Sequence, residues 1–322
     1  MNLALSFNKA YLDYALVMLT SFCENNRENN HIYILHSELE ESDFRYLESA
    51  LSAYEADIVS VDVRKYSWNF DDLPATRMWS KEIYYRLILP DIMPDNVDRI
   101  IYLDVDIVVH KSLEEFYYQD FNGNDLVACG DANDEVRMLE DYTLIQQKWV
   151  KDIWYSGYRY FNSGVLLINI AQMRGQYGFD FYLDIMKKWD FVMSAPDQDL
   201  LNYAHFGKVK FVPSEKYNLY ARIAYKAGMK YEEMMEKNSI IHFAGDKPWD
   251  WVNTHYELER VWWEYAALTP IYEKLMESYV ESAMTEERLE NEAIRLCKER
   301  VQLADALKEA NSVLKKFEGF NN

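Results

Sequence analysis

The first 63 residues alternate between short apolar runs and amphipathic segments, and this alternation restricts the fold more than any other feature of the sequence. Residues 3–5, 31–37 and 57–63 have the apolar or alternating character of strands. Between them, residues 11–23 and 40–54 place apolar side chains at helical spacing. Strands that are joined by single helices form a parallel sheet with right-handed crossovers. The sequence therefore predicts an α/β fold.

Three further apolar runs extend the predicted sheet. They cover residues 99–110, 126–131 and 160–170, and the first is the most clearly buried strand of the sequence. The run at 160–170 has 11 residues without a charge, which is typical of a buried strand. Helices are predicted over residues 81–89 (ending at Pro90), 180–191 and 197–204.

The C-terminal part of the chain has a different composition, rich in Glu, Lys, Arg, Ala and Leu. Leu289, Leu296 and Leu303 are seven residues apart, which predicts one amphipathic helix or a helical pair. Three roles are open for it: packing on the preceding domain, joining two copies in a homodimer, or lying on a membrane surface. We predict a first domain over residues 1–255 and a C-terminal helical extension over residues 256–322.

Composition excludes several classes of protein. The 322 residues include 34 Lys and Arg against 54 Asp and Glu, a net charge of −20. General nucleic-acid binding is excluded, because phosphate affinity requires a cationic surface. A single anionic ligand is still allowed, since a bound metal can reverse the charge at one site. The three cysteines are far apart and form neither a zinc motif nor a disulfide framework.

Asp104 and Asp106 follow directly after the apolar start of the strand predicted over residues 99–110. Ligands of open α/β sheets bind at the carboxyl ends of the strands. On an extended chain, side chains at i and i+2 point to the same side, so the two carboxylates should lie together. Paired carboxylate oxygens suit Mg²⁺ or Mn²⁺, which can also hold phosphate oxygens. The pair therefore predicts a metal site for a diphosphate ligand.

Two other interpretations of this acidic pair are open at this point. In the first, the acids cap the next segment or pair with Arg99 or Lys111, although burying two acids without a cation would be costly. In the second, the chain is a phosphatase of the haloacid-dehalogenase type, and residues 130–134 mimic the later metal motif of that class. Placement disfavours it, since that class carries Asp-x-Asp on its first strand, whereas three strands precede the motif here.

Four motifs follow one another along the chain: YLDVDIVV at 102–109, YFNSGVLLIN at 160–169, PDQDLLN at 196–202 and HFAGDKPW at 242–249. They occur in the order found in glycosyltransferase family 8, and they make residues 3–249 resemble that family. The family contains the retaining α-galactosyltransferases of bacterial lipopolysaccharide and glycogenin. The resemblance implies a GT-A-type fold, that is, a Rossmann-like mixed sheet with helices on both faces.

The resemblance also implies an activity, the metal-dependent, retaining transfer of a hexose from a UDP-sugar to a glycan or glycolipid acceptor. A protein that only binds nucleotide sugars is the non-enzymatic alternative. That alternative should have lost part of the metal or reaction motif. It is disfavoured because Asp104, Asp106, His242 and Gln198 are all present.

The resemblance implies that Asp104, Asp106 and His242 hold a metal ion, Mn²⁺ or Mg²⁺. Carboxylates with a neutral imidazole are suitable ligands for Mn²⁺. Gly245 would let the backbone approach the donor diphosphate, and Lys247 would bind its oxygens. The motif HFAGDKPW has one residue fewer between Gly245 and Lys247 than the commonest family pattern.

The nucleotide pocket is implied at residues 5–11. Asn8 would hydrogen-bond the uracil, because an amide offers both a donor and an acceptor, and Tyr11 would stack on the base. Family members often carry two acidic residues in this segment, which are absent here. The resemblance implies further contacts to the donor from Ser6, Arg86, Val105, Asn162 and Ser163.

The reaction is implied at Asp197 and Gln198. Asp197 would bind hydroxyls of the donor sugar, and Gln198 would lie beneath its anomeric carbon. Asp131 would lie at the edge of the donor sugar or the acceptor. A neutral amide is a poor nucleophile, so the sequence favours front-face attack, with Gln198 stabilising the positive charge of the sugar.

The partners follow from the same resemblance. We expect UDP-glucose or UDP-galactose as the donor, and a glycan, lipopolysaccharide-like, teichoic or capsular acceptor. By position, residues 65–79 and 135–158 are candidate walls of an acceptor cleft. The sequence contains no apolar run of about 20 residues that would span a bilayer. We expect a cytoplasmic protein, with the inner face of the membrane as the alternative location.

Overall fold

The chain forms two compact units in a computed structural model. The first unit comprises Met1–Gly245 and Tyr256–Ile271, and the second comprises Asp246–His255 and Tyr272–Asn322. The domain boundary after residue 255 stays a prediction. The structure describes residues 1–27, 29–68, 70, 73, 80–131, 159–191, 193, 195–251, 255–284, 290, 291, 293–301, 303, 304 and 307.

Strands of the first unit form two sheets. Within the described residues the strands are β1 (Asn2–Ser6), β2 (Asn30–His36), β3 (Ala56–Asp62), β4 (Ile100–Leu103), β5 (Ile107–Val109), β6 (Leu126–Gly130), β7 (Phe161–Ile168), β8 (Val209–Val212), β9 (Leu219–Tyr220) and β10 (Ile240–His242). The larger sheet has seven strands in the order β3-β2-β1-β4-β7-β6-β8. The smaller sheet has the order β5-β10-β9.

The larger sheet is mixed, as the family resemblance implies. Strands β3, β2, β1 and β4 are parallel, which confirms the parallel arrangement expected for the first 63 residues. Strand β7 is antiparallel to both β4 and β6. Every residue of β4 and of β7 is buried, so protein covers both faces of the sheet at its centre.

The described residues also form helices, of which those before residue 272 belong to the first unit. The α-helices are α1 (Leu12–Asn25), α2 (Glu41–Ala50), α3 (Leu89–Ile92), α4 (Glu114–Tyr117), α5 (Ile170–Met173), α6 (Phe179–Lys188), α7 (Pro196–Ala204), α8 (Ser214–Tyr217), α9 (Ala221–Lys226), α10 (Tyr231–Lys237), α11 (Arg260–Ala266) and α12 (Tyr272–Ala283). Within the same described residues, 3₁₀ helices cover Lys9–Tyr11, Val63–Lys65, Lys81–Ile88 and Glu257–Glu259.

The single strand predicted over residues 99–110 is wrong, because the structure divides it into two. Strand β4 belongs to the larger sheet, whereas β5 pairs antiparallel with β10 in the smaller one. A turn containing Asp104 and Asp106 separates the two strands. The two acids therefore do not share one side of an extended strand, and it is the turn that determines where each carboxylate points.

The helix expected to stop at Pro90 continues past it. A 3₁₀ helix covers Lys81–Ile88, and α3 follows directly and includes Pro90 near its start. Proline is tolerated in the first turn of an α-helix, because the backbone N–H it lacks has no partner there. The proline thus marks the beginning of a new helix rather than the end of the old one.

The second unit contains α12 and helical residues 293–301. This agrees with the helical character predicted from the leucine spacing, although Leu289 lies outside the described residues. Residues 132–158, which include the predicted acceptor wall at 135–158, also lie outside them, as does most of the other predicted wall, residues 65–79. Among the residues that the structure describes, no helix combines the length and apolar character that crossing a membrane requires.

Candidate active site

The turn after β4 brings three potential metal ligands together. Strand β10 pairs with β5 so that His242 lies opposite Ile107, next to the turn. The backbone N–H of Phe243 donates to the carbonyl oxygen of Asp106 at 2.9 Å and fixes this register. One ligand atom from each of Asp104, Asp106 and His242 lies within 4.8 Å of the others. The three residues predicted to hold a metal are therefore clustered.

His242 is almost fully buried, and both of its ring nitrogens have polar neighbours. Nε2 lies 3.3 Å from Oδ1 of Asp106, and Nδ1 lies 2.8 Å from Oδ1 of Asn218. The ring of Tyr220 packs edge-on against the imidazole at a centroid distance of 5.3 Å. These contacts hold the ring in one orientation, with Nε2 toward the carboxylates. One imidazole and two carboxylates form a donor set that suits Mn²⁺.

Gly164 on β7 leaves room for the cluster because it has no side chain. A Cβ atom at this position would lie 2.5 Å from Oδ2 of Asp104 and 2.8 Å from Cε1 of His242. The carbonyl oxygen of Gly164 also accepts a hydrogen bond from the backbone N–H of Asp104 at 2.9 Å. Only glycine lets β7 pass this close to two of the candidate ligands.

Arg86 is buried within the 3₁₀ helix Lys81–Ile88 and directs its guanidinium at the cluster. Its Nη2 donates to Oδ1 of Asp104 at 2.9 Å, and its Nη1 donates to the carbonyl oxygen of Ser163 at 2.6 Å. The guanidinium lies over the ring of Tyr102, 4.2 Å from its centroid. Burial acts to lower the pKa of Arg86, but the carboxylates of Asp104 and Asp197 outweigh it and raise that pKa.

Asp197 is the second acidic partner of Arg86. Its Oδ2 lies 3.3 Å from Nη1 of the arginine and accepts a hydrogen bond from the Ser163 hydroxyl at 2.7 Å. Burial raises the pKa of Asp197, and the arginine and the serine hydroxyl only partly offset that effect. The residue follows Pro196 in the first turn of α7, where carboxylates are favoured.

Gln198 lies at the centre of a buried amide network. Its Oε1 accepts hydrogen bonds from Nδ2 of Asn162 at 3.0 Å and from the backbone N–H of Ser163 at 3.1 Å. Its Nε2 donates to Oδ2 of Asp131 at 2.9 Å. Asn202, one turn later on α7, exchanges hydrogen bonds with the backbone of Phe161 and ties the helix to β7. The structure thus brings the predicted reaction-side and donor-side residues together.

The predicted nucleotide segment lies between β1 and α1. Oδ1 of Asn8 is buried and has no hydrogen-bond partner among the described residues. Tyr11 is 37% exposed and contacts Tyr14 edge-on. Ser6 instead faces inward, where its hydroxyl donates to the carbonyl oxygen of Glu82 at 2.7 Å and lies 2.8 Å from the hydroxyl of Tyr102. Ser6 therefore supports the helix that carries Arg86.

Three further predicted residues lie in loops. The side chain of Val105 is 9% exposed within the acidic turn. Gly245 has a φ of +91°, a conformation that favours glycine, and a Cβ there would lie 3.4 Å from Nη2 of Arg222. Lys247 belongs to the second unit, where its carbonyl oxygen accepts the backbone N–H of Asp250 at 3.1 Å.

Sequence reasoning missed two residues of the site. Asn218 directly precedes β9 and has no motif around it, so only the fold reveals its contact with His242. Gly164 stands inside the quoted motif YFNSGVLLIN, and a glycine within an otherwise apolar strand is a signal of close approach. That signal was available from the sequence alone.

A family comparison decides where this chain belongs. The model of the family described as glycosyl transferase family 8 matches residues 2–252. The chain belongs to glycosyl transferase family 8. The resemblance inferred from the four motifs is confirmed, and membership of this family argues against the phosphatase interpretation.

Individual relatives are moderately similar to this chain. A putative glycosyltransferase of Haemophilus influenzae is 30% identical over 213 residues, which are 66% of this chain and 61% of that relative's length. This chain therefore spans less than two thirds of that protein. A lipopolysaccharide 1,2-glucosyltransferase of Escherichia coli is 28% identical over 262 residues, covering 77% of this chain and 72% of the relative.

Two solved structures of LgtC have the same fold as this chain. An active-site mutant of LgtC is 24% identical, with a TM-score of 0.68 over 84% of this chain and 96% of that one. The galactosyltransferase LgtC, in complex with donor and acceptor sugar analogues, is 21% identical, with a TM-score of 0.63 over 90% of this chain and 100% of that one. The GT-A-type fold implied by the motifs is confirmed.

Proposed function

We propose that this protein is a metal-dependent, retaining glycosyltransferase that moves a hexose from a UDP-sugar to a hydroxyl of a bacterial cell-surface glycan or glycolipid. The observation that carries the proposal is the clustering of Asp104, Asp106 and His242. Hydrogen bonds join this cluster through Asn218 and Asn162 to Gln198. A metal centre and a buried sugar-binding network then serve one substrate, the nucleotide sugar.

The cluster fits a divalent cation on its chemistry. Two carboxylates face an imidazole nitrogen, and each of these groups carries a lone pair that a cation can share. When bound, Mn²⁺ or Mg²⁺ would neutralise the donor diphosphate and stabilise the charge that develops on the departing UDP. Arg86 would hold Asp104 in place for this role, because its guanidinium donates directly to that carboxylate.

The residues around Gln198 would bind the donor sugar. Asp197 and Asn162 would hydrogen-bond its hydroxyls, and Ser163 fixes the orientation of Asp197. Asn8 would hydrogen-bond the uracil. Its buried Oδ1 has no protein partner among the described residues and can accept a hydrogen bond from the base. Tyr11, which is partly exposed, would stack on that base. Lys247 and Gly245 would contact the diphosphate.

Front-face attack explains the role of Gln198 better than nucleophilic catalysis. Both lone pairs of its Oε1 already accept hydrogen bonds, from Asn162 and from the backbone N–H of Ser163. An amide oxygen held in this way stabilises a nearby positive charge but is poorly suited to form a bond. In the proposed step the bond from C1 to the diphosphate oxygen breaks, the acceptor oxygen bonds to C1 on the same face, and its proton passes to the diphosphate.

The relatives support the substrate classes that we propose. A relative named lipopolysaccharide 1,2-glucosyltransferase favours an acceptor of lipopolysaccharide type, with UDP-glucose or UDP-galactose as donor. Teichoic and capsular glycans are acceptors of related chemistry. We place the reaction in the cytoplasm, at the inner face of the membrane when the acceptor is lipid-linked.

The second unit supports a homodimer as a further proposal. Its helical residues expose apolar side chains, among them Ile294, Leu296 and Val301, each more than half exposed. Light scattering should give the mass of a dimer for the full chain and of a monomer for Leu296→Glu. A monomeric mass for the full chain would overturn this proposal without affecting the enzymatic one.

The function is tested with a panel of UDP-sugars, scored for hydrolysis in the presence of Mn²⁺. We expect hydrolysis of UDP-glucose or UDP-galactose, its loss with a chelator and its return with added Mn²⁺. Asp106→Asn should abolish it, and the exposed control Asp184→Asn should not. NMR of the transferred sugar should show an α product. Hydrolysis of none of the donors and no binding of UDP would overturn the proposal, and a β product would overturn retention.

A further inference from the structure

We propose that Asn218 is a positioning residue that fixes the ring tautomer of His242 and couples this ligand to Gln198 through one hydrogen-bond chain. The proposal rests on the metal-dependent function above, because it assigns Asn218 a role toward the metal. Asn218 is 1% exposed and contacts both sides of the site. Its Oδ1 lies 2.8 Å from Nδ1 of His242, and its Nδ2 lies 2.9 Å from Oδ1 of Asn162.

Backbone donors determine which way these amides point. The backbone N–H of Gly164 donates to the Asn162 side chain at 3.0 Å, so the accepting atom of Asn162 must be its oxygen. The atom of Asn218 that contacts this oxygen must then be its nitrogen. It follows that Asn218 presents its oxygen to His242, and this orientation does not depend on any assumption about the imidazole.

The orientation of Asn218 decides the tautomer of His242. An amide oxygen can only accept, so Nδ1 of the imidazole must carry the proton and donate it to Asn218. In the neutral ring Nε2 then has a lone pair, and this nitrogen faces Asp106 at 3.3 Å. That is the form of histidine that binds a metal through Nε2, and a hydrogen bond at the other ring nitrogen commonly selects it.

The other end of the hydrogen-bond chain, at Gln198, indicates the same direction of donation. Oε1 of Gln198 accepts the backbone N–H of Ser163, so Asn162 must present its nitrogen to Gln198. Nε2 of Gln198 then donates to the carboxylate of Asp131. Every donor therefore points away from the imidazole, in the order His242, Asn218, Asn162, Gln198 and Asp131.

Because all donors of this hydrogen-bond chain point the same way, its two ends are coupled. If one amide reversed, two donors or two acceptors would face each other in a buried site, which is costly. The orientation of the metal ligand and the orientation of Gln198 thus support one another. The backbone places Asn218 for this role, since it follows α8 and precedes β9, which runs parallel to the strand of His242.

Two substitutions separate the two contacts of Asn218. Asn218→Asp keeps an acceptor for the Nδ1 proton of His242 but removes the donor to Asn162. Asn218→Ala removes both. The matched control is Asn26→Ala at the end of α1, since Asn26 is also buried and its side chain also makes two hydrogen bonds, in this case to backbone groups.

Binding of Mn²⁺ with UDP present is measured by the electron paramagnetic resonance signal of free Mn²⁺, which requires no turnover. We expect Asn218→Ala to weaken Mn²⁺ binding by about 10- to 100-fold, the range found for residues that orient metal ligands. Asn218→Asp should bind Mn²⁺ within about threefold of the wild type. Its kcat at saturating Mn²⁺ should nevertheless fall by about tenfold or more, because Gln198 loses part of its support. Asn26→Ala should lower Tm and leave Mn²⁺ binding unchanged.

The tautomer itself is measured on the metal-free wild type by two-bond ¹H–¹⁵N spectra of the imidazole, with His242→Gln used to assign the signal. A proton on Nδ1 supports the proposal, and a neutral ring with its proton on Nε2 overturns it. Wild-type Mn²⁺ affinity in Asn218→Ala overturns the proposal, as does an equal loss of affinity in Asn218→Asp and Asn218→Ala. If Asn218→Ala does not fold, Asn218→Asp and the spectra decide. Absence of Mn²⁺ binding and of donor hydrolysis in the wild type would instead overturn the proposed function.

Discussion

The guanidinium of Arg86 donates to Oδ1 of Asp104 at 2.9 Å, and it does so from a buried position. The same guanidinium lies 3.3 Å from Oδ2 of Asp197. One cation thus joins a candidate metal ligand to a candidate sugar-binding residue. Because it balances two carboxylates in a buried site, we expect it to matter both for stability and for the arrangement of the site.

Arg86→Met should strongly destabilise the protein. Removing one partner of a buried ion pair costs about 3–5 kcal/mol, because the remaining charges stay buried without compensation. The free energy of unfolding, measured by urea denaturation, should fall by an amount in this range. The control Arg45→Met removes an exposed pair with Glu41 and should change it by about 0–1 kcal/mol. Equal effects of the two substitutions would contradict the buried role of Arg86.

Gly164→Ala should disturb the metal cluster more than the fold. The added Cβ would lie 2.5 Å from Oδ2 of Asp104, so this carboxylate must move. We expect Mn²⁺ affinity, measured by titration with UDP present, to fall by about tenfold or more, in the range found for changes around metal ligands. The control Gly207→Ala strains a position with φ of +74° and open space, and it should cost about 1 kcal/mol of stability without changing Mn²⁺ affinity.

A buried pair away from the site should make stability depend on pH. Nδ1 of His205 lies 2.9 Å from Oδ2 of Asp125, and Nε2 lies 2.7 Å from the hydroxyl of Tyr182. Burial lowers the pKa of His205, although Asp125 acts to raise it. Burial acts to raise the pKa of Asp125, but the contacts with His205, Gln172 and Lys208 together outweigh it and lower that pKa. The folded protein therefore holds a neutral imidazole beside a carboxylate.

The sign of this dependence follows from proton binding. As the pH falls below about 6.5, the unfolded chain protonates His205 before the folded protein does, so the free energy of unfolding decreases. The slope from one such group is at most about 1.4 kcal/mol per pH unit. His205→Gln should reduce the slope measured by urea denaturation between pH 7 and pH 5. Parallel curves for the wild type and the variant would show that His205 does not contribute.

Local patterns predicted most of the fold because they coincide with burial. The parallel order of the first three strands follows from the alternation of strand and helix, and β7 follows from an uncharged apolar run. The division of residues 99–110 into two strands was not predictable in this way. Both halves are apolar, and only pairing with β10 assigns β5 to another sheet. Pairing partners distant in sequence leave no signal in the local pattern.

The candidate site likewise contains residues that the sequence predicts and residues that only the fold reveals. Asp104, Asp106 and Gln198 stand in motifs whose chemistry is recognisable, and the structure brings them into one region. Asn218 stands in no motif, and its role depends on an amide orientation that two backbone N–H groups impose. A sequence indicates which chemical groups are available, whereas the direction of a hydrogen-bond chain becomes visible only when its members are in place.

The contact between Gln198 and Asp131 gives a last prediction, on charge rather than on size. Gln198→Glu would place two carboxylates within 2.9 Å of each other in a buried site, which strongly raises the pKa of the introduced carboxyl. At neutral pH we expect the variant to have a lower Tm and to hydrolyse the donor at least about tenfold more slowly. A repulsion that shifts a pKa by one unit changes the protonation equilibrium by a factor of ten. As the pH falls, the protonated acid can donate to Asp131 as the amide does, so hydrolysis should recover.

A second substitution tests the cause of that loss. In Gln198→Glu combined with Asp131→Asn, the introduced carboxylate faces an amide, so the repulsion is removed. We expect Tm at neutral pH to return toward the wild-type value in the double variant, whereas Asp131→Asn alone should not raise it. Thermal unfolding of all four proteins at two pH values measures the coupling between the two positions. If the changes in Tm of the two single variants simply add in the double variant, the contact between positions 198 and 131 does not determine how the introduced carboxylate is tolerated.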